Sequence, residues 1–351
     1  MRKNNYLRTI LSALLIVIMA TAPVLASDSV SVDMLNFNVA GLPGIINSGE
    51  SKNIPRNQAA IGRQINKSGC QIIAVQEDFG YHKYLASKLK NYPFRTPHSG
   101  GIPGGDGMNI YSKYPIFNAK RTPWNMTYGV IEDGADELTP KGILYSVVYV
   151  GEGIFVDLYD IHADAYDGEG SIRARNDNFK QLARMIRRKN TGRPVIITGD
   201  FNTASHLEQG SAFTEIMIED AGFKDAWTEL KNGGNYCDYS YYAGNEDYQG
   251  NWDSLEKFLY RDGDGVTVIA NSFEYVPYTN CKGKKISDHS AARATFTFTK
   301  TADFKPNKQC LYVAMPNPAL VSKTKIRTII KDLGKIIANK DDLIELLQGL
   351  Q

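Results

Sequence analysis

Short apolar runs that each stop at a carboxylate, an amide or a histidine recur along this chain, and they constrain its fold more than any other feature. The clearest is residues 194–202, where β-branched residues lead into Gly199, Asp200 and Asn202. A continuous apolar run bounded by turn residues is typical of a strand covered on both faces. An Asp at the end of one strand is usually a simple turn residue. The repetition instead favours a shared site where strands give way to loops.

Four further stretches end in the same way. The residues collected from all five are Asn38, Glu77, His162, Asp200, Asn202, Asp288 and His289, with Glu256 inside a late strand. Carboxylate and amide oxygens suit a hard divalent cation, Mg²⁺ or otherwise Mn²⁺ or Ca²⁺, whereas Cys and His occur together too rarely for zinc. Two histidines far apart in sequence suit one acting on a water and one acting on an oxyanion or leaving group. This set therefore predicts metal-assisted phosphoester hydrolysis.

The order of strand and helix patterns predicts two packed mixed sheets with helices outside them. Besides the run that ends at Gly199, the expected strands are 31–39, 72–75, 108–111, 143–150, 154–161, 255–261, 266–275 and 291–298, and the main expected helices are 54–67, 81–89, 172–189 and 212–218. Irregular loops are expected over 97–107 and from the strand at 108–111 to Lys141. A purely parallel sheet would need a crossover helix between successive strands, and too few helices are present.

The N-terminal residues predict a secretory signal peptide. Arg2, Lys3 and Arg8 precede an apolar run over 10–20, and small residues follow up to Ala26, after which cleavage is expected. The alternative, a retained membrane anchor, is weaker because the run is short for a bilayer span. The predicted organisation is a signal peptide over 1–26, a catalytic domain over 27–300 and a secreted, extracellular mature protein.

Net charge argues against a polycationic nucleic-acid binder. Without residues 1–26 the chain has 37 basic and 38 acidic residues, a formal charge of −1. Bulk electrostatics therefore does not favour nucleic acid as a partner, although local basic patches stay possible. The chain has 20 Tyr, several of them within 236–252. Tyrosines favour a recognition surface that is partly exposed to solvent.

The cysteines and the C-terminal residues leave alternatives open. Cys70 precedes an apolar run and is expected to be a small buried hydrophobic residue. Export would permit a disulfide between Cys237 and Cys281. The disulfide pairing of Cys70, Cys237, Cys281 and Cys310 is open. Residues 301–351 predict a small helical extension with an apolar stripe beside basic residues. Docking on the domain, a membrane surface and a partner protein are all compatible with that pattern. The oligomeric state is open.

Five stretches in order resemble the signature motifs of the endonuclease/exonuclease/phosphatase superfamily. They are LNFNVAGLP, VQED, DIHADA, ITGDFN and ISDHSAA, spread over about residues 30–300. The superfamily includes deoxyribonuclease I, neutral sphingomyelinases and inositol polyphosphate 5-phosphatases. HSGG, GDGMNIYSKYPI, LTPKG and ARNDNFKQLA are similar to secreted microbial members of the sphingomyelinase-like branch. The resemblance implies an α/β fold, a four-layer α-β-β-α sandwich of two packed mixed sheets with outer helices.

The resemblance also implies roles for the metal-site and acid–base residues. Asn38 and Glu77 match the family's metal-site amide and carboxylate, and Asp288 matches its late metal-proximal aspartate. His289 matches the general base. His162 matches the second catalytic histidine, which stabilises the phosphorane oxygens or protonates the leaving group.

The phosphate-side residues follow in the same way, with one departure. Asp200 and Asn202 match the pair that orients water and holds phosphate. Where the family has an aspartate that orients the base histidine, this chain has Glu256, with Asp253 as the rival if the register slips. One extra methylene matters because catalytic geometry tolerates little displacement.

Three polar residues near these motifs are candidates for substrate binding. They are His98, Asn109 and Asp164. Hydrogen bonds that stabilise loops explain them equally well.

Three functions remain open on this sequence. The first is a secreted Mg²⁺-dependent phosphodiesterase of sphingomyelinase-like type that acts by direct water attack on a phospholipid head group, in solution or at a membrane surface. The second is an endonuclease acting on DNA or RNA. The third is a catalytically silent binding module on the same fold.

Overall fold

The computed structural model describes residues 28–42, 53–102, 104–129, 136–137, 139–204, 210–236 and 255–305. The strands are β1 Ser29–Asn38, β2 Ile72–Gln76, β3 Phe94–Arg95, β4 Asn109–Ser112, β5 Ile116–Pro123, β6 Gly142–Gly151, β7 Ile154–His162, β8 Val195–Asp200, β9 Lys224–Asp225, β10 Glu256–Arg261, β11 Val266–Val276 and β12 Ala291–Lys300. The helices are α1 Ile54–Lys67, α2 His82–Ala86, α3 Glu169–Lys189, α4 Gly210–Phe213 and α5 Ala226–Lys231, with a π-helical segment Thr214–Asp220 after α4.

The strands form two six-stranded sheets. Sheet A has the order β11-β12-β1-β2-β4-β3, and sheet B has the order β5-β6-β7-β8-β10-β9. Pairing among these strands is antiparallel except for β1 with β2 and β7 with β8. In each parallel pair the crossover carries a long helix, α1 in sheet A and α3 in sheet B. The carboxyl ends of two neighbouring strands therefore meet at one edge of each sheet.

Alternation along the strands builds four layers, because successive side chains point to opposite faces. On β1, Val32 and Met34 point between the sheets, whereas Leu35 and Phe37 pack with α1 on the outer face. Sheet B repeats this arrangement with α3 outside it, where Phe179 and Leu182 are buried. The predicted α-β-β-α sandwich is confirmed.

Helix signals in the sequence correspond to observed helix ends. The Asn53 side chain accepts a hydrogen bond from the Arg56 backbone N–H at the start of α1. Gly69, with φ of +84°, follows the last residue of the helix and its cap, and left-handed backbone of this kind suits a helix stop. The predicted helix over 54–67 is confirmed, and α3 begins three residues earlier than predicted.

The irregular loop predicted to run to Lys141 is wrong over residues 116–123, which form β5. This is an edge strand with a bulge after Phe117, and most of its later side chains are partly or fully exposed. An edge strand with one solvated side and an interrupted register lacks the alternation that identifies a strand.

Several predictions fall on residues outside the described ranges. These are the signal peptide over 1–26, most of the tyrosine-rich segment 236–252, residues 306–351 of the extension, Asp253, Cys237 and Cys310. Cys70 is fully buried, as expected, and Cys281 is an exposed free thiol, which disagrees with the suggested bridge to Cys237. No helix within the described ranges is both long and apolar enough to cross a bilayer.

Candidate active site

The strand ends predicted to carry function meet at one edge of the space between the sheets. Asn38 ends β1, Glu77 follows β2, and His162 and Asp200 end the parallel pair of sheet B, directly beside each other. Glu256 begins β10 opposite Asp200. The topology therefore brings together side chains from both sheets.

Asp200 lies at the centre of this group. Asn38 Nδ2 donates to Asp200 Oδ2 at 3.0 Å and to Glu77 Oε1 at 3.1 Å. Asp200 Oδ2 is 3.5 Å from His162 Nε2 and 3.9 Å from His289 Nε2. Two imidazoles, two carboxylates and an amide thus share one small volume, as the sequence predicted.

His289 is held by a carboxylate on one side and a hydroxyl on the other. Its Nδ1 forms a short hydrogen bond with Glu256 Oε1, and its backbone N–H donates to Ser287 Oγ at 3.1 Å. Ser287 Oγ in turn donates to the Asn38 carbonyl oxygen at 2.8 Å. Glu256 therefore makes the contact with the histidine despite its extra methylene, and the free ring nitrogen of His289 faces Asp200.

The two histidines have opposite proton affinities. Burial disfavours the charge on His289, but Asp200 and the hydrogen bond with Glu256 outweigh this and raise its pKa to about 10. Burial, together with the positive charges of Lys141 and His289, holds the pKa of His162 well below its usual range. His162 is therefore a neutral hydrogen-bonding group at physiological pH.

Negative charge is crowded at this edge. Burial raises the pKa of both the Glu77 and the Asp200 carboxyl groups. Asp288 is exposed at the same edge, and its charge raises the pKa of Glu77 further. Ligand atoms of Asp200, Glu256 and His289 lie within 4.8 Å of one another. Together with Glu77 and Asp288, these residues leave an excess of carboxylate oxygens and negative charge at the edge, which fits a hard divalent cation.

Backbone strain occurs at three residues beside the centre. Ala40, Glu77 and Asn202 have φ values of +49°, +57° and +49°, a region that non-glycine residues rarely adopt. Gly41 packs so closely that a Cβ there would lie 2.2 Å from the Glu77 carbonyl oxygen. Such strain persists where neighbouring contacts hold the backbone in an unfavourable conformation, and this is often the case at functional sites.

Lys141 is a site residue to which sequence reasoning assigned no role. It is buried, and it forms an ion pair with Asp136. Burial disfavours its charge, but Asp136, followed by Glu77 and Asp200, raises its pKa. The only sequence signal was a lysine directly before an apolar strand, within the LTPKG stretch.

Two of the substrate-binding candidates, His98 and Asn109, contact Asp78, the residue after Glu77. Asn109 Nδ2 donates to Asp78 Oδ2 at 3.0 Å, and His98 Nε2 lies 2.9 Å from the Asp78 carbonyl oxygen. His82 Nδ1 is 2.7 Å from the same carboxylate. Asp78, His82 and His98 form a second group with ligand atoms within 4.8 Å of one another. The role of His98 and Asn109 in substrate binding stays a prediction.

Asn202 and Asp164 are engaged next to His162. Asn202 Nδ2 donates to the Ala163 carbonyl oxygen at 3.0 Å, and the Asn202 backbone N–H donates to Asp200 Oδ1 at 3.0 Å. Asp164 is fully buried and accepts from the Tyr128 backbone N–H at 2.8 Å. Their predicted contacts with substrate stay predictions.

Comparison with protein families identifies the region that carries this site. A family model described as "Endonuclease/Exonuclease/phosphatase family" matches residues 35–289. The sphingomyelinase of Mycobacterium tuberculosis (strain ATCC 25618 / H37Rv) is 33% identical over 287 residues, which are 78% of this chain and 54% of that protein. The chain thus spans about half the length of the curated relatives that it matches at this level.

Solved structures share the fold. The beta toxin of Staphylococcus aureus with bound magnesium ions has a TM-score of 0.53 at 17% identity, over 76% of this chain and 99% of that chain. TDP2 of D. rerio, complexed with a single-strand DNA product, has a TM-score of 0.55 at 16% identity, over 76% of this chain and 98% of that one. At these identities the similarity shows the fold alone.

Proposed function

Because the chain belongs to the endonuclease/exonuclease/phosphatase family, we propose that it is a secreted, divalent-cation-dependent phosphodiesterase that cleaves a phospholipid head group, as sphingomyelinases do. The convergence of Asn38, Glu77, Asp200, His162 and His289 on one edge carries this proposal. Export is supported by the basic and apolar N-terminal residues.

The cation would be held by Asn38, Glu77 and Asp288. The crowded carboxylates supply its ligands, and the magnesium named for the S. aureus beta toxin makes Mg²⁺ the first ion to test. When bound, such an ion neutralises phosphate charge and polarises the phosphorus–oxygen bonds.

The chain's own residues divide the remaining chemistry between the two histidines. Glu256 orients His289, so that Nε2 points toward the centre. A bound cation would offset the carboxylate charge that raises the pKa of His289, and Nε2 could then accept a proton from the attacking water. The water oxygen bonds to phosphorus, the bond from phosphorus to the leaving alcohol breaks, and the alcohol takes up a proton. His162 is neutral and buried and can donate a hydrogen bond to a phosphoryl oxygen, whereas its low pKa disfavours a role as proton donor, so the leaving alcohol takes its proton from solvent water.

A lipid substrate is supported by relatives and by exposed tyrosines. Tyr128 is 38% exposed, and its backbone N–H donates to Asp164, two residues beyond His162. Tyr166, which follows Asp164 by two residues, is 55% exposed. Aromatic rings with a polar tip suit the boundary between water and lipid. The name of the mycobacterial relative makes sphingomyelin the first substrate to test.

The test is a substrate panel with a matched pair of variants. Purified protein is incubated with Mg²⁺ or with EDTA against sphingomyelin liposomes, phosphatidylcholine liposomes, plasmid DNA and inositol phosphates. Glu77→Gln removes one central carboxylate, and Glu152→Gln makes the same change on the exposed turn between β6 and β7.

The expected result is Mg²⁺-dependent release of phosphocholine from sphingomyelin, lost with EDTA and in Glu77→Gln and retained in Glu152→Gln. DNA cleavage that Glu77→Gln abolishes, with every lipid untouched, would replace this proposal by a nuclease. Absence of hydrolysis and of Mg²⁺ binding would leave a binding module.

A further inference from the structure

Beneath the candidate active site, polar side chains replace the apolar ones between the sheets. On β1, β2 and β7 the inward-facing positions change from Val32, Ile72 and Leu158, in the apolar cluster, to Asn36, Gln76 and Asp160 at the polar edge. Asn36, Gln76 and Asp160 are each 0% exposed. Buried polar groups of this kind are costly unless they are bonded to one another.

These three side chains connect the sheets directly. Gln76 Nε2 donates to Asp160 Oδ1 at 2.6 Å and to Asn36 Oδ1 at 2.8 Å. Asn36 Nδ2 donates to the Gly199 carbonyl oxygen at 2.8 Å. Two of the three hydrogen bonds therefore run from sheet A to sheet B.

Each end of this network adjoins a site residue. Asn36 lies two residues before Asn38, and Gln76 lies directly before Glu77, both on sheet A. On sheet B, Asp160 lies two residues before His162, and Gly199 directly precedes Asp200. Glu77 and Asn38, the predicted metal residues, are thus tied to the strands that carry His162 and Asp200.

We propose that Asn36, Gln76 and Asp160 form a positioning bridge that fixes the metal half of the site, on sheet A, relative to the phosphate half, on sheet B. The inference rests on the proposed hydrolase function. Buried hydrogen-bonded networks restrict the geometry of the elements they join, and a displacement of about 1 Å at reacting groups costs about 10²-fold in rate.

A fourth hydrogen bond within the bridge is possible between Asp160 and Gln76. Asp160 Oδ2 and Gln76 Oε1 have no hydrogen-bond partner among the described residues. Burial raises the pKa of Asp160 well above its usual range, which favours the neutral acid. A neutral acid carries a proton that Gln76 Oε1 can accept, and an amide at position 160 offers the same donor and acceptor.

The test compares Asp160→Leu, which removes the acceptor at similar size, with Asp160→Asn, which keeps it. We expect Asp160→Leu to lower kcat for sphingomyelin hydrolysis by about 10²-fold. Its Mg²⁺ half-saturation should stay within about twofold of wild type, because the metal residues share one sheet. Asp160→Asn should keep kcat within about threefold. Leu158→Ala, two residues earlier on β7, controls for loss of packing and should leave kcat unchanged.

Three results would overturn the bridge. They are an Asp160→Leu variant with kcat within threefold of wild type, an Asp160→Asn variant as impaired as Asp160→Leu, and a loss explained wholly by weaker Mg²⁺ activation. If the wild-type protein hydrolyses none of the substrates, the proposed function fails. The bridge is then tested by measuring amide hydrogen exchange in the variants. Asp160→Leu must then speed exchange in both 36–40 and 160–164 while Asp160→Asn does not; unchanged exchange in Asp160→Leu overturns the inference.

Discussion

The two ends of the layer between the sheets have the same backbone arrangement and opposite chemistry. At one end, Leu158, Ile196 and Phe258 are completely buried in an apolar cluster. At the other, the same strands present Asp160, Asp200 and Glu256, with at most 1% of each residue exposed. The apolar end supplies stability by removing hydrocarbon from water. The polar end holds charges at a cost to stability and gains a reactive centre.

Asp200→Asn should have the largest effect on the polar end. Activity should fall about 10³-fold, because a charge at the centre is lost. Metal-free protein should lose less stability to urea at pH 7 than the Asp157→Asn variant, since burial disfavours the Asp200 charge in the folded state and partly offsets the lost attraction to His289.

Asp157→Asn is the matched control on the opposite face of β7, outside the layer between the sheets, where the carboxylate is buried against Arg193 Nη1 at 2.9 Å. Stability should fall there, because Arg193 loses its charge partner, and kcat should not change. A stability loss in Asp200→Asn equal to that of Asp157→Asn would contradict the distinction between a carboxylate kept for reactivity and one kept for stability.

Leu158→Ala should affect only the apolar end. Its side chain is fully buried, and removing it should lower the free energy of unfolding by about 2–5 kcal/mol. Urea unfolding measures this change, and kcat per folded molecule at low temperature should equal that of wild type. A large loss of kcat would mean that the apolar end also sets the site geometry.

Gly41→Ala should perturb the polar end without adding or removing charge. The new Cβ would lie 2.2 Å from the Glu77 carbonyl oxygen, so Glu77 must shift. Mutation of residues that support metal ligands typically changes metal affinity by about 10- to 100-fold. We therefore expect the Mg²⁺ concentration at half-saturation to rise about 10-fold. Gly80→Ala is the control, because a Cβ there meets open space. Equal half-saturation in both variants would show that Glu77 does not hold the ion.

Asp164→Asn should give the smallest change, a flatter dependence of stability on pH. Burial, followed by the charge of Asp136, raises the pKa of Asp164 to about 7, whereas an unfolded Asp titrates near pH 3.9. The folded state therefore binds more protons between about pH 4 and 7, and this group lowers stability as pH rises through that window. The Tm of the variant relative to wild type should increase from pH 4.5 to 7.5; a constant difference would contradict the shift.

The sequence carried enough information for the sandwich and for the position of the site, because both follow from local patterns. Apolar runs that end at Asn38, His162 and Asp200 are visible without knowing which strands pair. The helical stripe of α1 and the hairpin of β6 and β7 follow from periodicity in the same way.

Contacts between distant strands could not be read from the sequence. Gln76 and Asp160 are 84 positions apart in the sequence, and they meet only because the two sheets pack together, so no local pattern indicates the contact. Lys141 looks like an ordinary loop lysine until Asp136 is placed beside it. The bulged β5 lacks a clear period because it has no neighbour on one side.

The pairing of β1 with β12 joins the first and last strands of the described fold over eight residue pairs, from Ser29 to Asn36. His289 lies just before β12, and Asn38 lies at the end of β1. During translation the nascent chain therefore cannot assemble the constellation until about residue 300 has left the ribosome. Contacts so far apart in sequence slow folding, so the residues of the site are the last part of the fold to come together.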